Sequence, residues 1–490
     1  MKITELIEVL DTVGSPLNLS QDFQVAGISS NSKQVKDDFV FVAVKGTRED
    51  GSKFIDEAIK NGAKAVIVQS RGQGFAKSPS KVLFIKVKDT RRASGRLAAQ
   101  FYGNPSSEVK VVGITGTNGK TTVTYLIESL LNEAGAIPAV IGTINYRFKD
   151  RIILSKNTTP GPIELQGILA DMLKQGVTHC LVEVSSHALD QQRTECIAFH
   201  SAIFTNLTQD HLDYHKTLQR YFLAKARLFK NLSPGSFAVI NNDDKYGRRL
   251  KRETRAKVIT YAIENNADVR ARAIKFDPMY TEFILVSRAC EMKFRSALIG
   301  RHNVYNLLAA AAWAAELGVD MPVIKSGLER FSCVPGRLER IDFQGDFSVF
   351  VDYAHTEDAL KNILQTLRKF YKKKIIVVFG CGGERDKTKR PKMGRVVSEL
   401  SDYAIITNDN PRSEDPDKII RDIKLGIRKK NYCVMPGRYQ AIKKSLSLAR
   451  TGDIVLVAGK GHENYQIIKE RVIHFDDRQV IRECLKSLKF

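Results

Sequence analysis

Short apolar runs recur along the chain. Each is followed by a polar turn and then by a segment whose apolar positions fall three and four residues apart. The first pattern predicts strands buried on both faces and the second predicts helices covering them. In the first part, Ala26–Ser29, Val40–Val44 and Ala65–Val68 read as strands, and Phe54–Asn61 and Thr90–Tyr102 as helices. Next come strands ending at Ile114 and spanning Cys180–Val184, Ala202–Thr205 and Ala238–Ile240, with a helix over Thr122–Ala134. The last part repeats the alternation: strands Ser348–Val351, Ile375–Phe379, Tyr403–Thr407 and Ile454–Ala458, helices Asp358–Phe370 and Pro416–Ile427. Turn-rich Gly103-Asn104-Pro105-Ser106-Ser107 and Pro335-Gly336-Arg337 separate three units, expected at 1–105, 106–334 and 335–490.

The segment Val111-Val112-Gly113-Ile114-Thr115-Gly116-Thr117-Asn118-Gly119-Lys120-Thr121-Thr122 adds chemistry to this pattern. A strand, a glycine turn and a helix N-terminus make a cradle of backbone N–H groups for a polyphosphate. Lys120 is placed to reach the β- and γ-phosphates and Thr121 to hold Mg²⁺. Ile114 stands where the full phosphate-loop pattern has its first glycine. The fold expected is therefore α/β in three domains. Its centre is a P-loop-type, mostly parallel sheet with helices on both faces, and its C-terminal domain is Rossmann-like.

Other polar knots follow predicted strands. Glu183 ends one of them and suits Mg²⁺ beside a phosphate loop, or else a buried pair with a lysine. Thr205–His215 packs Asp210, His211, Asp213 and His215 into one segment, a metal or phosphate site or a structural cluster. The helix carrying Lys225 reads as ordinary and amphipathic. In the last third, Asp352–Thr356, Gly380–Arg390, Thr407–Arg412 and Gly459–Glu463 fall at one sheet edge. Arg390 and Arg412 offer planar forks for carboxylates, and Glu463 a charge for an ammonium. That mixture suits an amino-acid zwitterion.

Composition narrows the choice. No apolar run reaches the ~18 residues of a membrane span. Seven scattered cysteines fit free thiols in a reducing cytoplasm. The net charge of +23 is expected to be spread over solvated faces, with attraction of nucleotides as a by-product. The short clusters Lys372–Lys374 and Arg428–Lys430 lack interleaved aromatics, so nucleic acid is not expected as a partner.

Taken together, the segments resemble the Mur ligase family of ATP-dependent amide-forming enzymes in peptidoglycan precursor synthesis, nearly end to end. The resemblance rests on the phosphate loop, Asn157-Thr158-Thr159-Pro160, Glu183-Val184-Ser185-Ser186-His187, Gly300-x-x-Asn303-Val304-Tyr305-Asn306, Pro335-Gly336-Arg337-Leu338-Glu339, Asp352-Tyr353-Ala354-His355-Thr356 and Gly459-Lys460-Gly461-His462-Glu463. It is strongest to members that extend UDP-N-acetylmuramoyl-L-alanyl-D-glutamate by a third residue. The resemblance implies that Gly116, Thr117, Asn118, Gly119, Lys120, Thr121, Thr122, Asn303, Arg337 and Asp352 bind ATP. It implies that Thr121, Glu183, His211 and a carbamylated Lys225 serve Mg²⁺, with Lys120, Glu183, His211 and Lys225 catalytic. The UDP-sugar dipeptide would meet Ser32, Gly46, Thr47, Arg48, Asn157, Thr158, Thr159, Ser185, Gln191 and Arg193. In the family, Asp409-Asn410-Pro411-Arg412 marks users of meso-2,6-diaminopimelate. Arg390 and Arg412 would clamp its distal carboxylate, and Gly459 and Glu463 its distal ammonium. Lysine lacks that carboxylate and would leave a buried Arg412 unpaired. A cytoplasmic monomer is expected.

Four positions depart from the family pattern: Asn31-Ser32-Lys33 for Asp-Ser-Arg, Ser52 for His, Glu357 for Pro and Glu384 for Asp. The first two touch the uridine site. The competing readings are another ligase on this scaffold, adding glutamate to folate or D-alanyl-D-alanine to a precursor, and a non-enzymatic nucleic-acid scaffold.

Overall fold

The computed structural model describes residues 1–13, 22–46, 49–70, 82–277, 279–288 and 290–487. The chain builds three main sheets in succession. The N-terminal sheet pairs Gly27–Ser29, Phe39–Val42, Ala63–Gln69 and Leu83–Val87 in parallel and in that order. The last strand was not expected from the pattern. Helix Thr90–Phe101 covers the sheet, its first turn capped by Asp89 Oδ1, which accepts from the N–H of Arg91 (2.9 Å) and Arg92 (3.3 Å).

The central sheet has 11 strands. Its middle, from Val269–Phe276 through Lys257–Ala262, Phe237–Asn241, Phe199–Phe204, Lys110–Thr115 and His179–Glu183 to Pro138–Ile141, is parallel. Antiparallel strands finish both margins: Thr281–Ser287 and Glu291–Ser296 on one side, Asn145–Phe148 and Arg151–Leu154 on the other. The sheet is mostly parallel, as expected, and the antiparallel margins are an addition that the sequence pattern did not give. The physical reason is visible in Val269–Phe276 and Thr281–Ser287, where buried and more exposed residues alternate. Such strands face solvent on one side and need no helix crossover. Two apolar cores cover the two faces of the parallel middle. Helix Arg301–Glu316 lies within one of them, and Trp313 Nε1 donates to Ser201 Oγ at 2.9 Å.

The C-terminal sheet runs Glu339–Ile341, Ser348–Asp352, Ile454–Ala458, Ile375–Phe379, Tyr403–Ile406, Tyr432–Val434, parallel except for the first pair. Cores cover both of its faces. The carboxyl ends of its parallel strands point toward the phosphate loop. Asn118 Nδ2 donates to Asp358 Oδ2 (3.0 Å), and Lys389 Nζ lies 3.8 Å from Asp210 Oδ1. Among the described residues no helix is long and apolar enough to cross a membrane.

Candidate active site

The buried strand Lys110–Thr115 delivers the chain into the loop 116–119, and helix Lys120–Glu133 begins directly after it. Gly116 and Gly119 have φ of +153° and +88°. A Cβ on Gly116 would collide with Thr205 Oγ1, and one on Gly119 would lie 2.5 Å from Asn306 Oδ1. Only glycine fits both the conformation and the space. Asn303 supports the loop from behind: its Oδ1 accepts from Asn306 Nδ2 at 3.0 Å. Lys120 Nζ folds onto the loop and donates to the carbonyls of Gly116 and Thr117, both at 2.9 Å.

Glu183, at the end of the adjacent strand, accepts from Thr121 Oγ1 (3.0 Å), Thr143 Oγ1 (2.9 Å) and the Thr143 N–H (3.0 Å). Lys225 is buried under the loop. Its Nζ donates to Gly116 O (2.8 Å) and sits 4.7 Å above the Tyr221 ring. Burial, reinforced by the charge of Lys120, pushes the Lys225 amine well below its ordinary range, against the pull of Asp210. Lys120 is lowered as well, chiefly by burial. His211, in the left-handed region at φ 54°, packs its ring 4.8 Å from that of His187. Burial holds it well below the usual imidazole range, so its ring is neutral and able to act as a ligand.

Asp210 belongs to the candidate cluster Thr205–His215, but the resemblance gave a role only to its neighbour His211. Burial would raise its carboxyl, but His211, Lys389 and His355 hold it below the carboxylate range. It joins the central unit to two residues of the C-terminal one. Arg337 reaches back across the same boundary, its Nη2 3.3 Å from Thr121 Oγ1 and its guanidinium over the Tyr353 ring. Its Nε is buried without a partner among the described residues. Asp352 accepts from the N–H of Leu338 (2.5 Å) and Ala354 (2.6 Å), and burial lifts its carboxyl to about 6.

The residues expected at the dipeptide form one linked cluster beside Glu183. Thr158 Oγ1 lies 3.1 Å from Thr143 Oγ1. Thr159 Oγ1 donates to Glu183 O at 2.8 Å and accepts from the Ser185 N–H at 3.1 Å. Arg193 Nη1 donates to Thr159 O at 2.9 Å and its Nη2 to Gln191 Oε1 at 2.8 Å. Asn157 O accepts from Tyr146 Oη at 2.5 Å. Ser32 lies in the N-terminal unit, where its Oγ donates to Glu57 Oε2 at 2.5 Å; the Gly46 N–H donates to Glu49 O at 2.9 Å. Thr47 and Arg48 lie outside the described residues. Asn31 and Ser52 do local work: Asn31 Oδ1 and Asp50 Oδ1 cap short turns through the N–H of Lys33 and Ser52.

At the far edge, Asn410 Nδ2 donates to Glu463 Oε2 (2.9 Å), and Lys460 Nζ lies 3.1 Å from the same oxygen. Asp409 is buried beside Lys460, which keeps its carboxyl low against burial. Burial and Asp409 raise that of Glu463. Gly459, at φ +111°, passes so close to Asp409 that a Cβ would lie 2.7 Å from its Oδ2. Pro411 O accepts from the Glu414 N–H. Arg412 has a left-handed φ of 52° and is held by backbone bonds to Ile467 and Lys469. Its Nη1 donates to Gly383 O at 2.9 Å. Arg390 departs from the expected clamp. Its side chain is fully buried, Nη1 donating to Asp422 Oδ2 (2.9 Å) and Nη2 to Glu414 Oε2 (3.0 Å). Two acids fill its fork, so it braces the pocket wall. Thr143 and Glu414 were missed because nothing in their local sequence marks them, and Lys460, inside a motif that was singled out, was given no role there.

The donors at the loop fit a nucleotide with its magnesium. A glycine-walled turn, two lysines without carboxylate partners and an orphaned arginine nitrogen call for an anion. Among the described residues no three acids, histidines or cysteines gather as a metal cage. One carboxylate, a hydroxyl and a neutral ring match Mg²⁺, which takes its remaining ligands from water and phosphate.

A polyphosphate cradle facing a cluster of acids, amides and cations suited to an amino-acid zwitterion, across the join of the central and C-terminal sheets, defines a nucleotide-dependent group-joining enzyme. Residues 24–102 match the family model described as "Mur ligase family, catalytic domain", residues 114–314 the Mur ligase middle domain, and residues 336–461 the "Mur ligase, glutamate ligase domain". The chain belongs to the Mur ligase family and is an ATP-dependent amide-forming ligase of peptidoglycan precursor synthesis. A relative from Clostridium tetani (strain Massachusetts / E88), called UDP-N-acetylmuramoyl-L-alanyl-D-glutamate--2,6-diaminopimelate ligase, is 44% identical over 490 residues, covering 100% of both chains. A solved structure of a ligase with that description superposes with a TM-score of 0.68 at 33% identity, covering 99% of each chain. The MurF ligase of Thermotoga maritima, solved in complex with ADP, has a TM-score of 0.65 at 21% identity over 94% of this chain and 97% of its own, a likeness of fold.

Proposed function

We propose that the chain joins the amine of meso-2,6-diaminopimelate to the D-glutamyl carboxylate of UDP-N-acetylmuramoyl-L-alanyl-D-glutamate, in the cytoplasm and as a monomer. The units 1–105, 106–334 and 335–490 serve the UDP-sugar, ATP and amino acid in turn. The observation that carries this reading is the hydrogen-bond chain Thr158–Thr143–Glu183–Thr121, which links the peptide cluster to the phosphate loop. A carboxylate held near Thr158 and Arg193 lies beside the transferable phosphoryl group.

The carboxylate attacks the γ-phosphorus of ATP, giving an acyl phosphate and ADP. The amine then attacks the acyl carbon, loses a proton, and phosphate leaves. Lys120 and Arg337 stabilise charge on the transferring group. Glu183, Thr121 and His211 would hold Mg²⁺, which would supply Lewis-acid neutralisation of the phosphate oxygens. Lys225, kept neutral by burial, is able to add CO₂ and release a proton to become a carbamate, which puts a carboxylate-like group where the amine stood. The N–H groups around Gly116 and Gly119 orient the phosphates, and closure by Arg337 and Asp210 excludes water. At the far edge, Arg412 offers its remaining guanidinium N–H donors to a distal carboxylate, and Glu463 receives the ammonium.

The test is phosphate release with the UDP-dipeptide, ATP and Mg²⁺, and either diaminopimelate or lysine. Release with the first and none with the second is expected. Equal release would remove the assignment of substrate.

A further inference from the structure

Positive charge that is scattered along the sequence converges at one edge of the C-terminal sheet. Lys372-Lys373-Lys374 leads into strand Ile375–Phe379, and Arg428-Lys429-Lys430 precedes Tyr432–Val434. Both strands pair in parallel with Tyr403–Ile406, and the register sets Val377, Ala404 and Tyr432 level. The two runs therefore lie about 10 Å apart, two strand spacings, at the same end of the sheet. All six side chains are exposed. The edge is tied together: Arg368 Nη1 donates to Lys373 O (3.1 Å) and Lys429 Nζ to Glu399 O (3.0 Å). Of the acids there, Asp402 is engaged by Arg368 and Asp453 by backbone N–H groups, which leaves Glu399 outnumbered. This edge is opposite the catalytic one, since Asp352, Gly380, Asp409 and Gly459 all lie at or just beyond strand carboxyl ends.

We propose that this edge is a peripheral docking surface for an anionic phospholipid membrane. Attraction to a charged surface fades within a Debye length of about 8 Å at physiological salt, so cations act together only when they are level, and the parallel register makes them so. Leu425, three residues before the second run and beside exposed Lys424, is 79% exposed. An apolar side chain among cations gains by entering the headgroup–acyl boundary and gains nothing from a phosphodiester backbone. The edge aromatics Tyr371 and Tyr432 are half-buried against the sheet core and are not set out as platforms for base stacking. Docking here leaves the catalytic edge turned away from the bilayer and open to its soluble substrates.

The full chain is sedimented with vesicles of phosphatidylcholine, with and without phosphatidylglycerol, at low and high salt. Binding at least tenfold stronger to the phosphatidylglycerol vesicles, lost at high salt, is expected. The combined variant Lys372→Glu, Lys374→Glu, Lys430→Glu should lose that binding at least tenfold while keeping its melting temperature and its ligase rate in vesicle-free solution. Leu425→Ser should weaken binding several-fold without changing its salt dependence. The proposal is overturned if the two vesicle types bind equally, if the triple variant binds like the parent, or if duplex RNA or DNA is captured at the same salt while vesicles are not.

Discussion

The phosphate loop and the amino-acid pocket manage charge in opposite ways. Among the described residues neither Lys120 nor Lys225 forms an ion pair; each donates to loop carbonyls or a hydroxyl, and both amines are lowered by burial. In the pocket the cations are already matched: Lys460 with Glu463, Arg390 with Glu414 and Asp422, and, just behind it, the fully buried Arg438 with Asp477 at 2.6 Å. Buried charge without a counter-charge is costly, so the loop is a site held ready for a polyanion. The pocket is a largely matched frame in which Arg412 keeps donors in reserve. One site binds by charge and the other selects by shape and pairing.

The comparison breaks most directly at Lys120. Lys120→Ala should lower kcat by ~10⁴-fold, about 5.5 kcal/mol of transition-state stabilisation, with an unchanged far-ultraviolet dichroism spectrum. Retained turnover would show that the loop does not act through its unpaired cation. Arg390→Ala tests the opposite arrangement. It strands Glu414 and Asp422 against a buried cavity and should cost about 4 kcal/mol of stability, read as a lower denaturant midpoint. A specific rise in KM for the amino acid at unchanged stability would instead return Arg390 to ligand contact.

The same contrast explains what the sequence made legible. The loop is contiguous: strand, turn and helix start follow one another within 111–122, and its glycines declare their conformations. The pocket draws on 380–390, 409–412 and 459–463, brought together by parallel strands whose order, 352 beside 458 beside 379 beside 406, no local pattern reveals. The types of residue in those segments were readable, but the roles of Arg390 and Lys460 were not, because a buried pair and a ligand contact look alike until the partners are placed. Lys225 has the same problem, since only its burial beneath Gly116 separates it from an ordinary helical lysine. The antiparallel margins of the central sheet were missed because their half-buried alternation runs through charged residues such as Glu282, Lys293 and Arg295.

Asp352 stands where the two regions meet and sharpens the comparison through pH. Burial lifts its carboxyl from 3.8 to about 6, although Arg337 and two backbone N–H groups oppose the shift. The folded chain holds this proton more tightly than the unfolded one. Its contribution to stability is therefore complete below pH 3.8 and lost as pH rises through 6. The stability of the parent relative to Asp352→Asn should fall across that window by at most about 3 kcal/mol, measured by urea unfolding at several pH values. A difference that is flat in pH would mean that the carboxylate is paired in the folded protein and belongs with the matched charges.

Arg412 gives the smallest and most selective effect. Its backbone sits in the left-handed region and is fixed by bonds to Ile467 and Lys469, so the guanidinium is aimed by strain that a ligand contact would justify. Among the described residues only its Nη1 is engaged, by the carbonyls of Gly383 and Asn410. Removing the fork leaves both carbonyls able to meet water, so the fold should lose little. A distal carboxylate would lose a charge-assisted pair, and Arg412→Ala should raise KM for diaminopimelate by ~30-fold, about 2 kcal/mol, with KM for ATP within a factor of two. Arg412→Lys should recover only part of this, because a point charge cannot present the planar fork. If both variants leave KM for diaminopimelate unchanged, the pocket selects its amino acid without Arg412, and the reserve donor that separates it from a fully matched frame has another use.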